Sequence, residues 1–252
     1  MTDNNTDLSG TTAIVTGGTR GFGRAIASTL VAGGVTVVGV ARDKRALDEL
    51  AEKLGSGLVP VVGDAADPDL ASRLVNEHQP RTLVLNAGAS SSPAPLSQQT
   101  WESLSVNWET DVRHVFNFIR EALTKPLAPG STVISFSSGA AIAGSALSGG
   151  YAGAKATIKF LSGYAGAEAE QRSLGIRFVS VLPQITRAGG VGAPFISAYA
   201  AYDGISEEQF LARFGAPLSA DDVAAAVVTL AAQPEHDAAS YRLTGGGLAP
   251  LP

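Results

Sequence analysis

A short apolar, β-branched run, TTAIVT at 11–16, leads directly into GGTRGFG at 17–23 and then RAIASTLVAGG. Strand, glycine-rich turn and helix in that order form the opening unit of a nucleotide-binding sheet. The glycines let the backbone turn tightly and come close to a pyrophosphate. The free N–H groups and dipole of the new helix favour that negative charge. The spacing is TGxxxGxG, from Thr16, Gly17, Gly21 and Gly23. A glycine loop at a strand end also serves as an ordinary turn, so the rest of the chain decides its meaning.

The downstream pattern alternates strand and helix, which predicts a parallel sheet covered on both faces. Strands are expected at 35–41, 58–64, 82–88, 131–138, 176–183 and 240–246. Helices are expected at 43–54, 67–78, about 98–123, about 149–172 and 219–232. Residues 89–97 read as a loop, and 184–216 as an irregular, Gly-rich and aromatic segment. No repeat, low-complexity run or inter-domain linker interrupts the pattern. The expectation is one α/β domain over 1–252, with about seven strands and a flexible tail at 1–9.

Composition bounds the function. At 252 residues the chain can bury one large core. Its 45% hydrophobic and 16% charged residues are ordinary for a protein with buried strands. The net charge of -5, without a basic block, argues against a nucleic-acid partner. With no Cys, disulfides, thiol catalysis and Cys-ligated metal are excluded, and no metal site is read from the chain. MTDNNTDLSG is polar and acidic, without the positive and apolar regions of a signal peptide, and no apolar stretch is long and uninterrupted enough to span a membrane. A soluble, cytoplasmic protein is expected.

The candidate chemistry lies in SSGAAIAGSALSGGYAGAK, where Ser138, Tyr151 and Lys155 are spaced Ser-x12-Tyr-x3-Lys. A Tyr and a Lys four apart share one face of a helix. An ammonium there favours the phenolate and lowers the Tyr pKa. Bringing a Tyr from ~10 to ~7 takes roughly 4 kcal/mol. Such a Tyr exchanges a proton with a substrate oxygen at ordinary pH, and a nearby Ser hydroxyl holds that oxygen. By themselves the two residues equally suit a buried Tyr and a solvated Lys on an ordinary helix.

TGGTRGFG at 16–23, NAGA at 86–89, Asn107 in SVNWET, and Ser138, Tyr151 and Lys155 in this order resemble the short-chain dehydrogenase/reductase family over nearly the whole chain. The spacing differs from the GxGxxG of long-chain dehydrogenases. Arg20, where the extended members of the family carry Gly, places the chain with the compact subgroup of about 250 residues. The resemblance implies a Rossmann-like doubly wound sheet and hydride transfer between a carbonyl and an alcohol. It implies that Tyr151 is the general acid or base, and that Lys155 tunes it and holds the nicotinamide ribose. Ser138 then holds the reacting oxygen, and Asn107 a relay water.

The same resemblance places the dinucleotide against Gly17, Thr19, Arg20, Gly21, Phe22 and Gly23. It continues along Arg42, Asp64, Ala65, Asn86, Ala87 and Gly88, past Tyr151 and Lys155, to Pro183 and Thr186. Arg20 and Arg42 suit the 2′-phosphate of NADP(H), so NAD is the less favoured cofactor. Asp43 is either the N-cap of the second helix or a rival ribose contact. Two departures stand out: Gln184 follows Pro183 where the family has Gly, and Ala188 occupies the usual Thr position. Thr186 is the candidate replacement. Ser145, Gln184, Ser138 and Tyr151 are expected around a neutral, fairly apolar ketone or alcohol. Segment 184–216 corresponds to the family's substrate lid; its aromatics are either pocket walls or the core of a helical hairpin. The Ala- and Gly-rich helix at 151–171 corresponds to the surface through which the family assembles, implying a homotetramer or homodimer.

Overall fold

The structure, a computed structural model, describes residues 7–190, 192–233 and 238–252. Residues 1–6 of the expected tail lie outside this set. The elements follow as β1 (Thr12–Thr16), α1 (Gly21–Ala32), β2 (Thr36–Ala41), α2 (Lys44–Leu54), β3 (Leu58–Val62), α3 (Pro68–His78) and β4 (Thr82–Leu85). Then come α4 (Trp101–Asn107), α5 (Arg113–Thr124), β5 (Thr132–Phe136), α6 (Gly149–Gln171) and β6 (Arg177–Pro183). The chain closes with α7 (Gly192–Asp203), α8 (Glu207–Ala212), α9 (Ala220–Ala232), β7 (Ser240–Thr244) and β8 (Gly247–Pro250).

Among the described residues, one sheet of eight strands runs in the order β3-β2-β1-β4-β5-β6-β7-β8. The first seven are parallel, and β8 turns back antiparallel on β7, pairing Thr244 with Gly247 and Tyr241 with Pro250. The chain reverses its direction of travel across the sheet between β1 and β4. This topological switch opens a crevice at the carboxyl ends of the strands.

Strand residues alternate between two cores, as a sheet buried on both faces requires. Ala13, Val15 and Ile134 pack with Ile26 and Leu30 of α1 and with Val223, Val227 and Leu230 of α9. Ile14, Leu83 and Val133 pack with Leu74 of α3, Phe118 of α5 and Ile158 of α6. The doubly wound α/β expectation is met. Among the described residues, no helix is long and apolar enough to cross a membrane.

The structure extends one expectation and corrects two. Seven parallel strands match the expected number among the described residues, and the ending GLAP, not read as a strand, adds an eighth by folding back as β8 after a turn with Gly247 at φ 103°. The single helix read at 98–123 is two helices joined by a π turn at Trp108–Val112, with a capping box between Thr100 and Ser103 at its start. The segment 184–216 is not irregular throughout. It carries α7 and α8, whose Ile196, Ala200 and Phe210 form a small core of their own.

Candidate active site

A cleft of about 1070 Å³ runs along the carboxyl ends of the strands, from Arg42 and Asp43 after β2 to Arg213 and Phe214 beyond α8. Thr16 at the end of β1 organises its floor. The Thr16 hydroxyl accepts hydrogen bonds from Asn86 N at 3.0 Å and Ala87 N at 3.2 Å. The Asn86 amide donates to the Thr16 carbonyl at 3.1 Å and the Gly17 carbonyl at 3.3 Å. The turn after β4 is thereby tied to the glycine loop, with both at the switch point.

The loop needs its glycines for different reasons. Gly17 and Gly21 have φ of 67° and 50°, in the region that side chains other than Gly rarely occupy. A Cβ at Gly23 would run into the Gly17 carbonyl and lie 2.6 Å from Asn86 Nδ2. Gly17, Thr19, Arg20 and Phe22 line the cleft, whereas Gly21 and Gly23 shape the loop from beneath. Arg42, Asp64, Ala65, Asn86, Ala87, Gly88, Pro183 and Thr186 line the same cleft. Asp43 is the N-cap of α2, accepting from Ala46 N at 3.1 Å, so its capping role is met. Asp64 accepts from Ala66 N at 3.0 Å.

Further along, Ser138, Ser145, Tyr151, Lys155 and Gln184 line the same cleft. Ser138 ends the β5 turn and caps the short helical turn at Gly139–Ala141, accepting from Ala140 N at 3.2 Å. Tyr151 and Lys155 share the cleft face of α6, and Lys155 Nζ lies 5.6 Å from the Tyr151 ring centre. Lys155 is no solvated surface lysine. It is 6% exposed, and its Nζ donates to the Phe136 carbonyl at 3.1 Å and pairs with Asp111 Oδ2 at 3.1 Å. Burial opposes its charge. The charge and hydrogen bond of Asp111, with Tyr151, outweigh that and hold its pKa above the ordinary lysine value.

Asn107 lies behind the cleft wall rather than in it. It ends α4, is fully buried, and donates to the Ala89 carbonyl at 3.0 Å and to Asp111 Oδ2 at 3.3 Å. Thr186 donates to the Leu218 carbonyl at 2.8 Å and Gln184 to the Ala216 carbonyl at 2.7 Å. Both side chains thus tie the cleft edge to the segment after α8. The Ser145 hydroxyl meets the Tyr199 hydroxyl of α7. Phe195, Tyr199, Phe210 and Phe214 all line the cleft, and Phe195 and Phe210 also pack in the α7–α8 hairpin. The two alternatives for these aromatics therefore coexist.

Sequence reasoning missed Asp111 and His114, both buried and both on the cleft wall. Burial pushes the His114 pKa down to about 4 against the pull of Asp111. The available signal was two titratable residues at helical spacing after Asn107, in a helix otherwise read only for its length.

The glycine turn at a switch point, with a Tyr–Lys pair in the same cleft, defines a dinucleotide-binding α/β protein. The family model described as short chain dehydrogenase matches residues 11–197, and the chain belongs to that family. It is 34% identical over 111 residues to an uncharacterized short-chain type dehydrogenase/reductase of Sinorhizobium fredii, covering 44% of each chain. It is 27% identical over 237 residues to serine 3-dehydrogenase of Agrobacterium fabrum, covering 89% of each. It is also 27% identical over 205 residues to 12alpha-hydroxysteroid dehydrogenase of a Clostridium species, covering 75% of this chain and 79% of that one. Family membership implies a nicotinamide dinucleotide. The cleft fits one: it is long, runs from Arg42 to Tyr151, and is floored by a loop whose glycines let it pack tightly against the turn after β4 at the start of α1.

Proposed function

We propose that the protein is an NADP-dependent oxidoreductase that interconverts a ketone or aldehyde and an alcohol, with Tyr151 exchanging the proton. The carrying observation is that Ser138, Tyr151 and the buried, charged Lys155 line the same cleft as the glycine loop.

When bound, the nicotinamide supplies or takes the hydride. The chain's residues do the rest. Ser138 donates a hydrogen bond to the substrate oxygen and stabilises the negative charge that develops there. Tyr151 gives its hydroxyl proton to that oxygen in reduction and takes it back in oxidation. The Lys155 ammonium offsets the charge left on the Tyr151 oxygen and offers its remaining N–H to the nicotinamide ribose. Asn107, behind them, belongs to the return path of the proton.

Thr19, Phe22 and the glycine loop cradle the pyrophosphate, and Arg20 and Arg42 meet the 2′-phosphate. Both arginines are exposed at the adenosine end of the cleft. Asp64 and Ala65 border the adenine. Asn86, Ala87 and Gly88 run along the ribose, and Pro183 and Thr186 border the nicotinamide. Residues 184–216 serve as the lid over one catalytic domain. Ser145 and Gln184 border a neutral, fairly apolar substrate beneath the lid's aromatics. Copies of the chain assemble as a homotetramer or homodimer through α5 and α6. The outer face there carries Phe116, Phe160 and Tyr164, all exposed.

Following NADPH consumption with a panel of ketones and aldehydes, with NADH in parallel, tests this reading. Turnover that favours NADPH is expected, and Tyr151→Phe should lose about 10²–10⁴-fold in kcat while still binding NADPH. Dinucleotide binding without turnover of any carbonyl or alcohol would point instead to a sensor on the same fold.

A further inference from the structure

Asp111 sits inside the π turn, 1% exposed, with every oxygen engaged. Oδ1 accepts from Ala89 N at 2.7 Å and from the Thr110 hydroxyl at 3.0 Å. Oδ2 accepts from Asn107 Nδ2 at 3.3 Å and pairs with Lys155 Nζ at 3.1 Å. Space is reserved for it: a Cβ at Gly88 would lie 3.0 Å from Oδ2. The carboxylate thus joins three separate parts of the chain, namely the turn after β4, the end of α4 and the reaction face of α6. π turns gather at functional sites because their extra residue re-aims the side chains around it.

A buried ammonium without a counter-charge tends to lose its proton, and a buried carboxylate without donors tends to gain one. Here each supplies what the other lacks. The titratable groups facing Lys155 are Asp111 from the π turn, Tyr151 from its own helix and His114 from α5. Asp64, after β3, acts on His114 in turn. Asp111 is the negative charge in hydrogen-bond contact with the ammonium.

We propose that Asp111 is a positioning residue of the reaction centre, holding Lys155 charged and fixed against Tyr151 and locking it, through Ala89 and Asn107, to the turn after β4. The proposal rests on reading Tyr151 as the proton-transferring residue. Its consequence is specific. With Asp111 present, Lys155 stays an ammonium through the working range, and the alkaline limb of the rate profile is not set by that lysine. Without the carboxylate, burial dominates, and Lys155 loses its proton as the pH rises through a lower value.

The test is the pH dependence of kcat for carbonyl reduction with NADPH in the wild type, Asp111→Asn and Asp111→Glu. In Asp111→Asn, kcat should fall about tenfold or more at pH 8, and the alkaline limb should move down by roughly one pH unit or more. Substrate KM and the NADPH Kd, read from its fluorescence, should change less than kcat. Asp111→Glu should return the limb towards its wild-type position. An Asn variant with the wild-type limb, whatever its thermal stability, overturns the proposal.

A measurement on the wild type covers the case in which the variants do not fold. With ¹⁵N-lysine labelling, the side-chain ammonium of Lys155, assigned by its absence in Lys155→Arg, should persist above the ordinary titration point of ~10.4. Titration below that point overturns the proposal. This readout needs no turnover, so a protein that reduces no carbonyl yet keeps its Lys155 ammonium would sink the functional reading alone.

Discussion

The ring of Phe195 lies 5.4 Å from the ring of Tyr151 at an interplanar angle of 38°. From Phe195 the contacts continue to Tyr199 at 6.3 Å, then to Phe210 at 5.5 Å and Phe214 at 5.3 Å. The helical hairpin over the cleft is thus linked, ring by ring, to the residue proposed to move the proton. An aromatic pair contributes about 0.5–1.5 kcal/mol beyond its buried area, and 1.4 kcal/mol is tenfold in affinity. With the hairpin held less firmly over the cleft, Phe195→Ala should therefore raise the KM for carbonyl substrates by roughly 2–12-fold. The NADPH Kd should stay near wild type, since the glycine loop lies at the other end of the cleft. Steady-state kinetics with NADPH fluorescence titration checks both; an unchanged KM would separate this hairpin from substrate binding.

Much of this arrangement was legible in the sequence because it depends on local pattern. TTAIVT and the glycine run define β1, its turn and α1, since β-branched strand residues and positive-φ glycines leave the backbone few alternatives. Tyr151 and Lys155 are brought together by helical spacing alone. Asp111 was not legible, because its role comes from a long-range pair with Lys155 and from a π turn whose onset inside WESLSVNWETDVRH no propensity marks. β8 was hidden by a Gly- and Pro-rich ending, which reads as loop until β7 offers it an edge to pair with. The α7 and α8 helices were hidden by the glycines ahead of them, and their small core of Ile196, Ala200 and Phe210 forms only in three dimensions.

Cofactor choice should answer to Arg42. It lines the cleft beside Asp43 but leaves the capping of α2 to that neighbour, so its replacement spares the helix. A hydrogen bond to a charged group contributes about 1.5–3 kcal/mol, or roughly 10–100-fold. Arg42→Ala should lower kcat/KM with NADPH by that factor and leave the NADH value within about threefold. Equal losses with both cofactors would place Arg42 elsewhere than at the 2′-phosphate.

Gly23→Ala tests the loop from below. The added methyl would meet the Gly17 carbonyl and the Asn86 amide, so the loop must shift off the turn after β4. Overpacking of this kind costs about 1–3 kcal/mol. NADPH affinity should fall by about tenfold or more and the Tm by several degrees, read by fluorescence titration and thermal denaturation. Wild-type affinity would mean that the loop tolerates displacement and that its close packing serves stability alone.

His114 should leave its mark on acid stability. Its pKa of about 4 in the folded protein lies below the ordinary 6.5, so the unfolded chain takes up a proton that the native state refuses. Its contribution is complete above pH 6.5 and is lost as pH falls from there towards 4. Between pH 7 and pH 5 this amounts to about 2 kcal/mol. Urea unfolding at the two pH values should show that loss in the wild type. His114→Leu should remove most of it, whatever its stability at pH 7; a slope unchanged by the substitution would assign the acid sensitivity to other groups.

Assembly should depend on the outer face of α6. Phe160 and Tyr164 stack at 5.8 Å with an interplanar angle of 23°, and they are 67% and 64% exposed. Trp101 at the start of α4 is 73% exposed, and nothing lies within 4 Å of where Gly163 and Gly166 would carry a Cβ. Large aromatics beside bare glycine backbone suit a helix face that packs closely against a second copy. Sedimentation at micromolar concentration should give a dimer or tetramer for the wild type. Phe160→Glu places a charge where an aromatic anchor contributes ~2 kcal/mol or more, so it should shift the protein to smaller species. Because the reaction residues lie on the opposite, cleft-facing side of α6, the dissociated variant should still bind NADPH. A monomeric wild type, or a variant that sediments like the wild type, would exclude this face as the assembly surface.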